Sequence, residues 1–430
     1  MIDKISSEFN RNVFTLTFAS GISQAIPVLL SPILVKIYTP EDFGTFAVFF
    51  ALVSIFGSTI NGKYDIATMI PKKDEDAFNI GILSLIVSFC LSILLIFIIF
   101  ICFSYIDVKE FFEYQNSNIW ILILPIAVFF HGIFNSLNYF NTRLKHYKDI
   151  AISKIYKSVV LIASQIALGY LLSGIYGLTI GTVLSHMSAN FRLAKNIFSD
   201  KKLVYSFSLK KMKTLAVEYK MYPLYLNFAN LFDIATLQMP LLFIIKIAGE
   251  TINGYFFLAS RIISIPSALI GKSISQVFFQ RISYLHSHKE KCLPLLITTI
   301  TKLLFIAIPT TIILYLFSPS LFRIIFGEVW QISGEIAKYL SLIFLIQFTV
   351  SSVSPVLALK EFVKRGTLWK IIYFISSVCL YSIVIFFKID FFDFLFFFVI
   401  HEYILYIIYL AIIFKSVIDI DNLNYQPMKD

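Results

Sequence analysis

The chain has 430 residues, of which 58% are hydrophobic and only 14% are charged, and its mean hydropathy is +0.81. A soluble domain of this composition could not cover its apolar surface, so the sequence predicts a polytopic membrane protein. The formal net charge of +10 does not indicate a nucleic-acid partner, because lysine and arginine are dispersed in short segments between apolar runs. That dispersion is typical of topology signals.

The sequence contains none of the patterns that carry enzymatic chemistry. It has no HExxH, nucleophile elbow, Walker loop or histidine and cysteine cluster, and its four cysteines show no CxxC spacing. We therefore expect free thiols, no metal, no cofactor and no enzymatic activity. The polar N-terminus MIDKISSEFNRN precedes a hydrophobic stretch that is too long and interrupted for a cleavable signal, so we expect the first span to be retained.

Apolar runs long enough to cross a bilayer recur along the whole chain. Since about 20 apolar residues form one crossing, the sequence predicts an all-α bundle of twelve transmembrane helices. The predicted spans are residues 12–37, 43–62, 78–104, 117–140, 150–172, 174–195, 220–247, 253–280, 293–317, 335–359, 367–387 and 394–414.

The loops between these spans alternate in basic content. Every second loop is rich in lysine and arginine: Lys63, Lys72 and Lys73; Arg143, Lys145 and Lys148; the residues from Lys195 to Lys213; Arg281, Lys289 and Lys291; and Lys360, Lys364 and Arg365. The other loops offer little beyond Lys109, Lys246, Arg323 and Lys388. This asymmetry predicts that both termini lie in the cytoplasm.

The longest loop divides the chain into two predicted lobes of six helices. We expect lobes at residues 1–195 and 220–430, joined by a basic amphipathic linker at 196–219 that lies along the membrane interface. A weak internal repeat supports two halves, since Pro32-Ile-Leu followed by Gly44-Thr-Phe corresponds to Pro240-Leu-Leu followed by Gly254-Tyr-Phe. Parallel repeats of this kind predict a substrate site between the halves.

Polar stripes mark the first and seventh spans. Ser20 and Gln24 lie on a polar arc of span 1, whereas Asn227, Asn230, Asp233 and Gln238 lie within span 7. Such groups in membrane helices serve either as packing contacts or as the lining of a wet cleft. Their occurrence in both helices favours a shared cleft that binds substrate.

Two cations lie within the predicted eighth span. Arg261 and Lys272 are eleven residues apart, which in a regular helix places them on one face, roughly 16 Å apart along the axis. We predict that they line the same cleft. The alternatives are that Arg261 pairs with Asp233 and that Lys272 extends to the cytoplasmic interface.

Two further sites carry titratable groups within predicted spans. His131 in span 4 is either a packing residue or a proton-coupling group, and the pair His401-Glu402 in span 12 is a candidate proton relay. A proton or another cation is therefore a candidate coupling ion.

Motifs distributed from residue 12 to about 360 resemble the Wzx-type polysaccharide flippases, within the group that includes MATE multidrug exporters and lipid II flippases. They are Ile26-Pro27, the segment from Pro32 to Gly44, Lys63-Tyr-Asp-Ile-Ala67, Ile70-Pro71-Lys72, Asp76-Ala77, Tyr222-Pro223, Gln238-Met-Pro240, the segment from Gly254 to Arg261, Ile265-Pro266, Gln276-Val-Phe278 and Phe326-Gly-Glu-Val-Trp330 with Gly334. The last two spans carry no matching motif.

The resemblance implies a two-lobed bundle that alternates between inward-open and outward-open states in the bacterial inner membrane. It implies a flippase whose substrate is an undecaprenyl-diphosphate-linked oligosaccharide, such as an O-antigen, capsule or exopolysaccharide repeat unit, moved from the cytoplasmic to the periplasmic leaflet. Its partners would be membrane lipids and the polymerase and chain-length proteins of the same pathway. Arg261 and Lys272 would bind the diphosphate.

Two other functions fit an all-α membrane bundle. A MATE-like small-molecule or drug exporter would share the fold, but it should favour acidic groups in its cavity, whereas the charges within the spans here are mainly basic. A polysaccharide polymerase of the same pathway would need a large outer loop with arginine or histidine clusters, and the predicted outer loops are short. The sequence does not specify the sugar, the coupling ion or the oligomeric state.

Overall fold

A computed structural model of the protein describes residues 2–105, 120–172 and 174–425. All regular secondary structure in these ranges is helical. The α-helices α1 to α16 are, in chain order, Ile2–Leu29, Ser31–Ile37, Pro40–Thr59, Tyr64–Ala67, Asp74–Tyr105, Trp120–Arg143, Tyr147–Leu171, Tyr176–Phe198, Lys201–Tyr205, Leu209–Glu218, Asn227–Ile263, Lys272–Ser287, Leu293–Phe326, Gln331–Val353, Val363–Phe387 and Phe391–Tyr425. Two π turns (Tyr222–Leu226 and Ser267–Gly271) and two 3₁₀ turns (Glu328–Trp330 and Ser354–Ala358) complete the order.

Ten stretches of the described chain are long and apolar enough to cross a membrane, which confirms the predicted all-α membrane fold but not the count of twelve. The difference has two causes. Helix α8, the predicted sixth span, is not among the ten and buries polar groups such as Thr179, Ser185 and Asn190. The predicted seventh span and the start of the eighth form one continuous stretch, Tyr222–Ile263. The start of the fourth span and Lys109 lie outside the described residues.

Helix α11 is interrupted where the sequence predicts the joint between its two spans. Gly249 has φ of 79° and ψ of −178°, which are not helical angles. Glycine adopts a positive φ without the steric cost that a Cβ would add. The break therefore separates residues 227–248 from residues 250–263 without a loop.

The chain divides into two compact units, Met1–Gly254 and Tyr255–Asp430. In the first unit α7 packs between α1 and α8, while α6 contacts α3, α5 and α8. In the second unit α13 and α14 pack together, and α16 contacts α13, α14 and α15. The predicted lobe boundaries at 195 and 220 stay a prediction.

The predicted linker is attached to the first unit by specific hydrogen bonds. Asn79 on α5 donates from Nδ2 to the carbonyl of Ser206 (3.1 Å) and accepts from the amide of Ser208 (2.9 Å). The Tyr64 hydroxyl donates to the Ala216 carbonyl on α10 (3.0 Å). The linker helices α9 and α10 therefore belong to the first unit.

A buried amide fixes the helices around the end of α3. Asn61 is 1% exposed, and its Nδ2 lies 2.6 Å from Ser136 Oγ, 3.0 Å from Ser84 Oγ and 3.0 Å from the Gly132 carbonyl. A buried polar group must be hydrogen-bonded to be tolerated. Asn61 thus ties the α3 to α4 turn to α5 and α6.

The first turn of α3 meets residues 250–254 in direct backbone contact. A Cβ on Gly44 would collide with the carbonyl of Glu250, and a Cβ on Gly254 would collide with the carbonyl of Pro40. The contact is reciprocal, since each carbonyl lies four residues before the opposite glycine. Asn253 adds a hydrogen bond from Nδ2 to the Gly44 carbonyl (2.8 Å). These are the two glycines that the sequence repeat pairs.

We expect Gly44→Ala and Gly254→Ala each to destabilise the protein by about 1–3 kcal/mol, because an added methyl group would meet backbone that cannot change rotamer. The melting temperature of the detergent-solubilised protein measures the effect. Gly81→Ala is the control, since its added Cβ would lie at an ordinary contact distance of 3.6 Å from Phe140. Unchanged melting temperatures for the first two variants would contradict the close approach.

Candidate functional site

The structure places the two predicted residues of span 1 on α1, next to α7. Ser20 Oγ accepts a hydrogen bond from Lys154 Nζ at 3.0 Å. Gln24 is exposed, and its Nε2 donates to the Ser20 carbonyl at 3.1 Å. Ser158 on α7 donates to the Ser23 carbonyl at 2.6 Å, which holds the two helices in register. Ser20 is therefore brought to a lysine that the sequence analysis did not select.

The predicted residues of span 7 lie on the first part of α11. Asn230 donates from Nδ2 to Ser58 Oγ on α3 at 3.0 Å. Asn227 Oδ1 is buried and has no hydrogen-bond partner among the described residues. Asp233 and Gln238 are partly exposed. This part of α11 therefore offers both a satisfied amide and an available acceptor.

The two predicted cations lie in the second unit. Arg261 is partly exposed with its guanidinium carbon 5.9 Å from the centre of the Phe257 ring, and Lys272 is exposed. The prediction that they share a face assumed a regular α-helix, whereas the π turn Ser267–Gly271 lies between them and changes the residues per turn. Their role in binding stays a prediction.

Two lysines inside α7 were missed by the sequence analysis. Lys154 and Lys157 are three residues apart, so they lie on one side of the helix. They are seven and ten residues from its first residue, Tyr147, or roughly 10 and 15 Å along the axis. Their position inside a predicted span was the available signal. The neighbouring basic residues Arg143, Lys145 and Lys148 are interpreted as topology signals.

An aromatic ring lies against the second of these lysines, and two histidine rings lie nearby. The Lys157 ammonium lies 4.6 Å from the centre of the Phe134 ring, and that ring is 6.1 Å from the His186 ring. The His131 and His186 rings are 4.9 Å apart, and His186 is 4% exposed. We call Lys154, Lys157, His131 and His186 the lysine–histidine cluster. Helices α6, α7 and α8 position it within the first unit.

Lys157 differs from other cationic side chains of the described chain in its partners. Arg143 pairs with Asp74 at 2.8 Å, and Arg192 pairs with Asp149 at 2.9 Å. Within the described ranges no carboxylate lies at ion-pairing distance from Lys157, which has an aromatic face instead. A charge inside a membrane helix needs a partner or a wet cavity. This arrangement suits an anionic ligand.

The turn after α3 carries a buried lysine and a buried aspartate. Lys63 adopts a positive φ of 59°, and the side chains of Lys63 and Asp65 are both buried. Burial lowers the pKa of Lys63, and it raises the pKa of Asp65 while the nearby lysine opposes that rise. With Tyr64 bonded to Ala216, this turn connects α3 to the linker helices and has a structural role. The described part of the chain holds no group of three or more histidine, cysteine or acidic side chains that could bind a metal ion.

Comparison with known proteins places the chain in a family. The family described as polysaccharide biosynthesis protein matches residues 33–335, which is most of the sequence. The chain belongs to the polysaccharide biosynthesis protein family. This confirms the resemblance that the motifs indicated. No curated protein matches the sequence significantly.

Solved structures of transporters share the fold. An inward-facing multidrug resistance MATE transporter of the MOP superfamily is 15% identical with a TM-score of 0.70, and the match covers 95% of each chain. The lipid II flippase MurJ in an inward closed conformation is 16% identical with a TM-score of 0.67, covering 95% of this chain and 90% of that one. A MOP superfamily transporter from Pyrococcus furiosus is 15% identical with a TM-score of 0.58, covering 96% of each chain. This member of the polysaccharide biosynthesis family therefore has the MOP transporter fold.

We expect Lys157→Met to raise the melting temperature of the purified protein. Among the described residues this ammonium has no carboxylate partner, and replacing it by a thioether of similar length removes a desolvation cost of about 1 kcal/mol or more. The control is Lys148→Met on the same helix, where the exposed lysine should change little. A lower melting temperature for Lys157→Met would show that Lys157 is structural.

Proposed function

We propose that this protein is a flippase for an undecaprenyl-diphosphate-linked oligosaccharide, such as an O-antigen or capsule repeat unit. It would move this lipid from the cytoplasmic to the periplasmic leaflet of the bacterial inner membrane, with both of its own termini in the cytoplasm. Membership of the polysaccharide biosynthesis family and the transporter fold support a role as a transporter of this pathway. The observation that carries the more specific proposal is the lysine–histidine cluster.

The chemistry of the headgroup matches the cluster. A diphosphate entering the membrane loses its hydration, and lysine ammonium groups can replace it with charge-assisted hydrogen bonds. Lys154 and Lys157 provide two ammonium groups on the same side of α7, and Ser20 contributes a hydroxyl beside the first. The aromatic face of Phe134 holds Lys157 without neutralising it, because a cation over a ring keeps its charge.

Lysine also suits a ligand that must leave again. An ammonium acts as a point charge on a flexible stem, whereas a guanidinium holds phosphate in a fixed two-point geometry. Binding by Lys154 and Lys157 therefore tolerates movement of the headgroup during transport. The predicted groups Asn227, Asn230, Asp233 and Gln238 would serve the sugars, and Arg261 and Lys272 would add cations in the second unit.

Alternating access needs helices that can bend, and the described chain has such places. Gly249 breaks α11, and π turns occur at Tyr222–Leu226 and Ser267–Gly271, before and after that helix. π turns and breaks of this kind frequently occur at functional sites in helices. We assign to them the bending that opens the protein to either side.

Deletion of the gene tests the function. In a strain without a redundant flippase, surface polysaccharide should disappear while the lipid-linked repeat unit is still made and accumulates in the inner membrane. Normal surface polysaccharide would contradict the proposal. Unchanged polysaccharide with increased drug sensitivity would instead support a MATE-like exporter, the alternative that shares this fold.

Complementation of that strain tests the site. Lys154→Gln and Lys157→Gln should each reduce polysaccharide export severely while protein abundance stays normal, and the double variant should abolish export, because the anion loses its counter-charges. Lys157→Arg should recover part of the export, since the positive charge is kept. The control is Lys148→Gln, an exposed lysine of the same helix. Full export by the double variant would exclude the cluster as the headgroup site.

A further inference from the structure

A buried carboxyl group lies in the second unit, away from the lysine–histidine cluster. Glu402 on α16 is 2% exposed. Its Oε2 accepts a hydrogen bond from the Tyr373 hydroxyl on α15 at 2.8 Å. The proposed binding of the diphosphate does not use this group. Its presence in a membrane helix therefore needs a separate explanation.

The other oxygen of this carboxyl group faces a histidine nitrogen. Glu402 Oε1 and His401 Nδ1 are 3.4 Å apart. Both atoms are buried, and neither has a hydrogen-bond partner among the residues that the structure describes. Two buried polar atoms that face each other without a hydrogen bond are costly unless a proton lies between them.

The far side of the imidazole ring determines which nitrogen carries a hydrogen. His401 Nε2 lies 3.2 Å from Ser376 Oγ, and that hydroxyl donates its own hydrogen to the Tyr373 carbonyl at 3.0 Å. With that hydrogen bond in place the Ser376 oxygen accepts, and the hydrogen of a neutral imidazole lies on Nε2. A neutral ring then presents a lone pair from Nδ1 toward Glu402.

An ionised Glu402 beside a neutral His401 would thus place two acceptors against each other. One added proton removes the conflict, either as a carboxylic acid that donates to Nδ1 or as an imidazolium that donates to Oε1. Both arrangements contain the same number of protons. In this arrangement the two facing atoms can form a hydrogen bond only when the pair carries one added proton. The reference state for that count is an ionised carboxylate beside a neutral imidazole.

We infer that His401 and Glu402 form a proton-binding site in the second unit, and that proton binding and release there drive the transport cycle. The coupling role rests on the proposed function, whereas proton binding does not. When the proton leaves, the acceptor atoms Glu402 Oε1 and His401 Nδ1 repel each other. Helices α15 and α16 must then move or admit water for the ionised state to be stable. Proton release is thereby linked to a movement of these helices.

The groups around the pair are neutral tyrosines and amides. Tyr373 and Tyr381 face Glu402 from α15, and Tyr406 faces it from its own helix. From α14, Gln347 reaches the same network by donating from Nε2 to the Tyr406 hydroxyl at 3.1 Å.

Charged groups also occur on the same two helices: Lys370 lies one turn before Tyr373 on α15, and Asp393 lies roughly 14 Å before Glu402 along α16. Asp419, which pairs with Arg365, lies roughly 25 Å beyond Glu402. The described hydrogen bonds of the pair itself involve Tyr373 and Ser376.

Infrared difference spectra recorded between acidic and alkaline pH test proton binding directly. The purified full chain in lipid nanodiscs should show a titrating band from a protonated carboxylic acid or from an imidazolium. Glu402→Gln should remove either band, because its amide can donate to Nδ1 while its oxygen still accepts from Tyr373, which also preserves the fold. Identical spectra for the wild type and Glu402→Gln would overturn the inference.

A second His and Glu pair provides the matched control. His286 Nε2 lies 3.9 Å from Glu361 Oε2, and Glu361 is exposed. Glu361→Gln should leave the titrating band of the buried pair unchanged. If Glu361→Gln removed the band instead, the buried pair would not be its source.

Tyr373→Phe gives an independent test that does not remove the carboxyl group. The tyrosine hydroxyl donates to Glu402 Oε2, so its loss should change the position of the band that arises from Glu402. A band that is identical in the wild type and in Tyr373→Phe would contradict proton binding by Glu402.

Export measures the coupling role separately. Glu402→Gln at normal abundance should lose polysaccharide export, and full export by this variant would overturn the coupling. The infrared measurement needs no lipid-linked substrate. It therefore tests the proton site independently of the proposed flippase function.

Discussion

The energetic cost of charge inside a membrane is the constraint on which the rest of this structure depends. An ionised side chain in hydrocarbon requires a partner, a wet cavity or a change of protonation. The protein meets this requirement differently in its two units. Lys157 rests against an aromatic ring and has no carboxylate at ion-pairing distance among the described residues, whereas Glu402 is bonded to a tyrosine and faces a histidine. We propose that the first arrangement binds an anionic ligand and that the second binds a proton.

The surrounding structure is consistent with this division. In the first unit, hydrogen bonds from Asn61 tie the end of α3 to α5 and α6, and a hydrogen bond from Asn79 ties α5 to the linker. The backbone contact between Gly44 and Gly254 locks the first turn of α3 against the chain beyond Gly249. In the second unit, Trp369 on α15 stacks on Tyr409 of α16 with ring centres 3.7 Å apart, which holds the two helices that carry the proton site. Rigid packing thus flanks each charged group.

Most of the fold follows from the sequence because hydrophobic length alone identifies a membrane span. The break at Gly249 also lies between the predicted spans 220–247 and 253–280. The π turn after Pro266 was not predicted, since a proline indicates a bend without specifying how many residues the turn contains. Helix α8 differs from a simple span because its polar groups are paired inside the unit, as with Asn190, which donates to the Phe130 carbonyl at 2.9 Å.

The candidate site was only partly predictable. Ser20 was selected because polar groups recur along one side of its helix, and the structure brings it to Lys154. Lys154 and Lys157 lie inside the predicted span 150–172, but basic residues near a span end usually mark topology. The contacts with Ser20 on α1 and Phe134 on α6 show that they lie within the unit. The pair His401-Glu402 was identified as a proton relay from residue type alone. The unpartnered atoms that give it a mechanism depend on side-chain geometry that a sequence does not contain.

The central claim is that the protein carries a lipid diphosphate by means of the lysine–histidine cluster. Its most direct test is transfer between leaflets in vesicles that contain the purified protein and a fluorescent polyprenyl-diphosphate oligosaccharide, scored with a quencher that reaches only the outer leaflet. The account predicts rapid transfer by the wild type and by Lys148→Gln, and no transfer above that of protein-free vesicles by the Lys154→Gln, Lys157→Gln double variant. Equal transfer by the double variant, or transfer of a cationic drug but not of the lipid diphosphate, would contradict it.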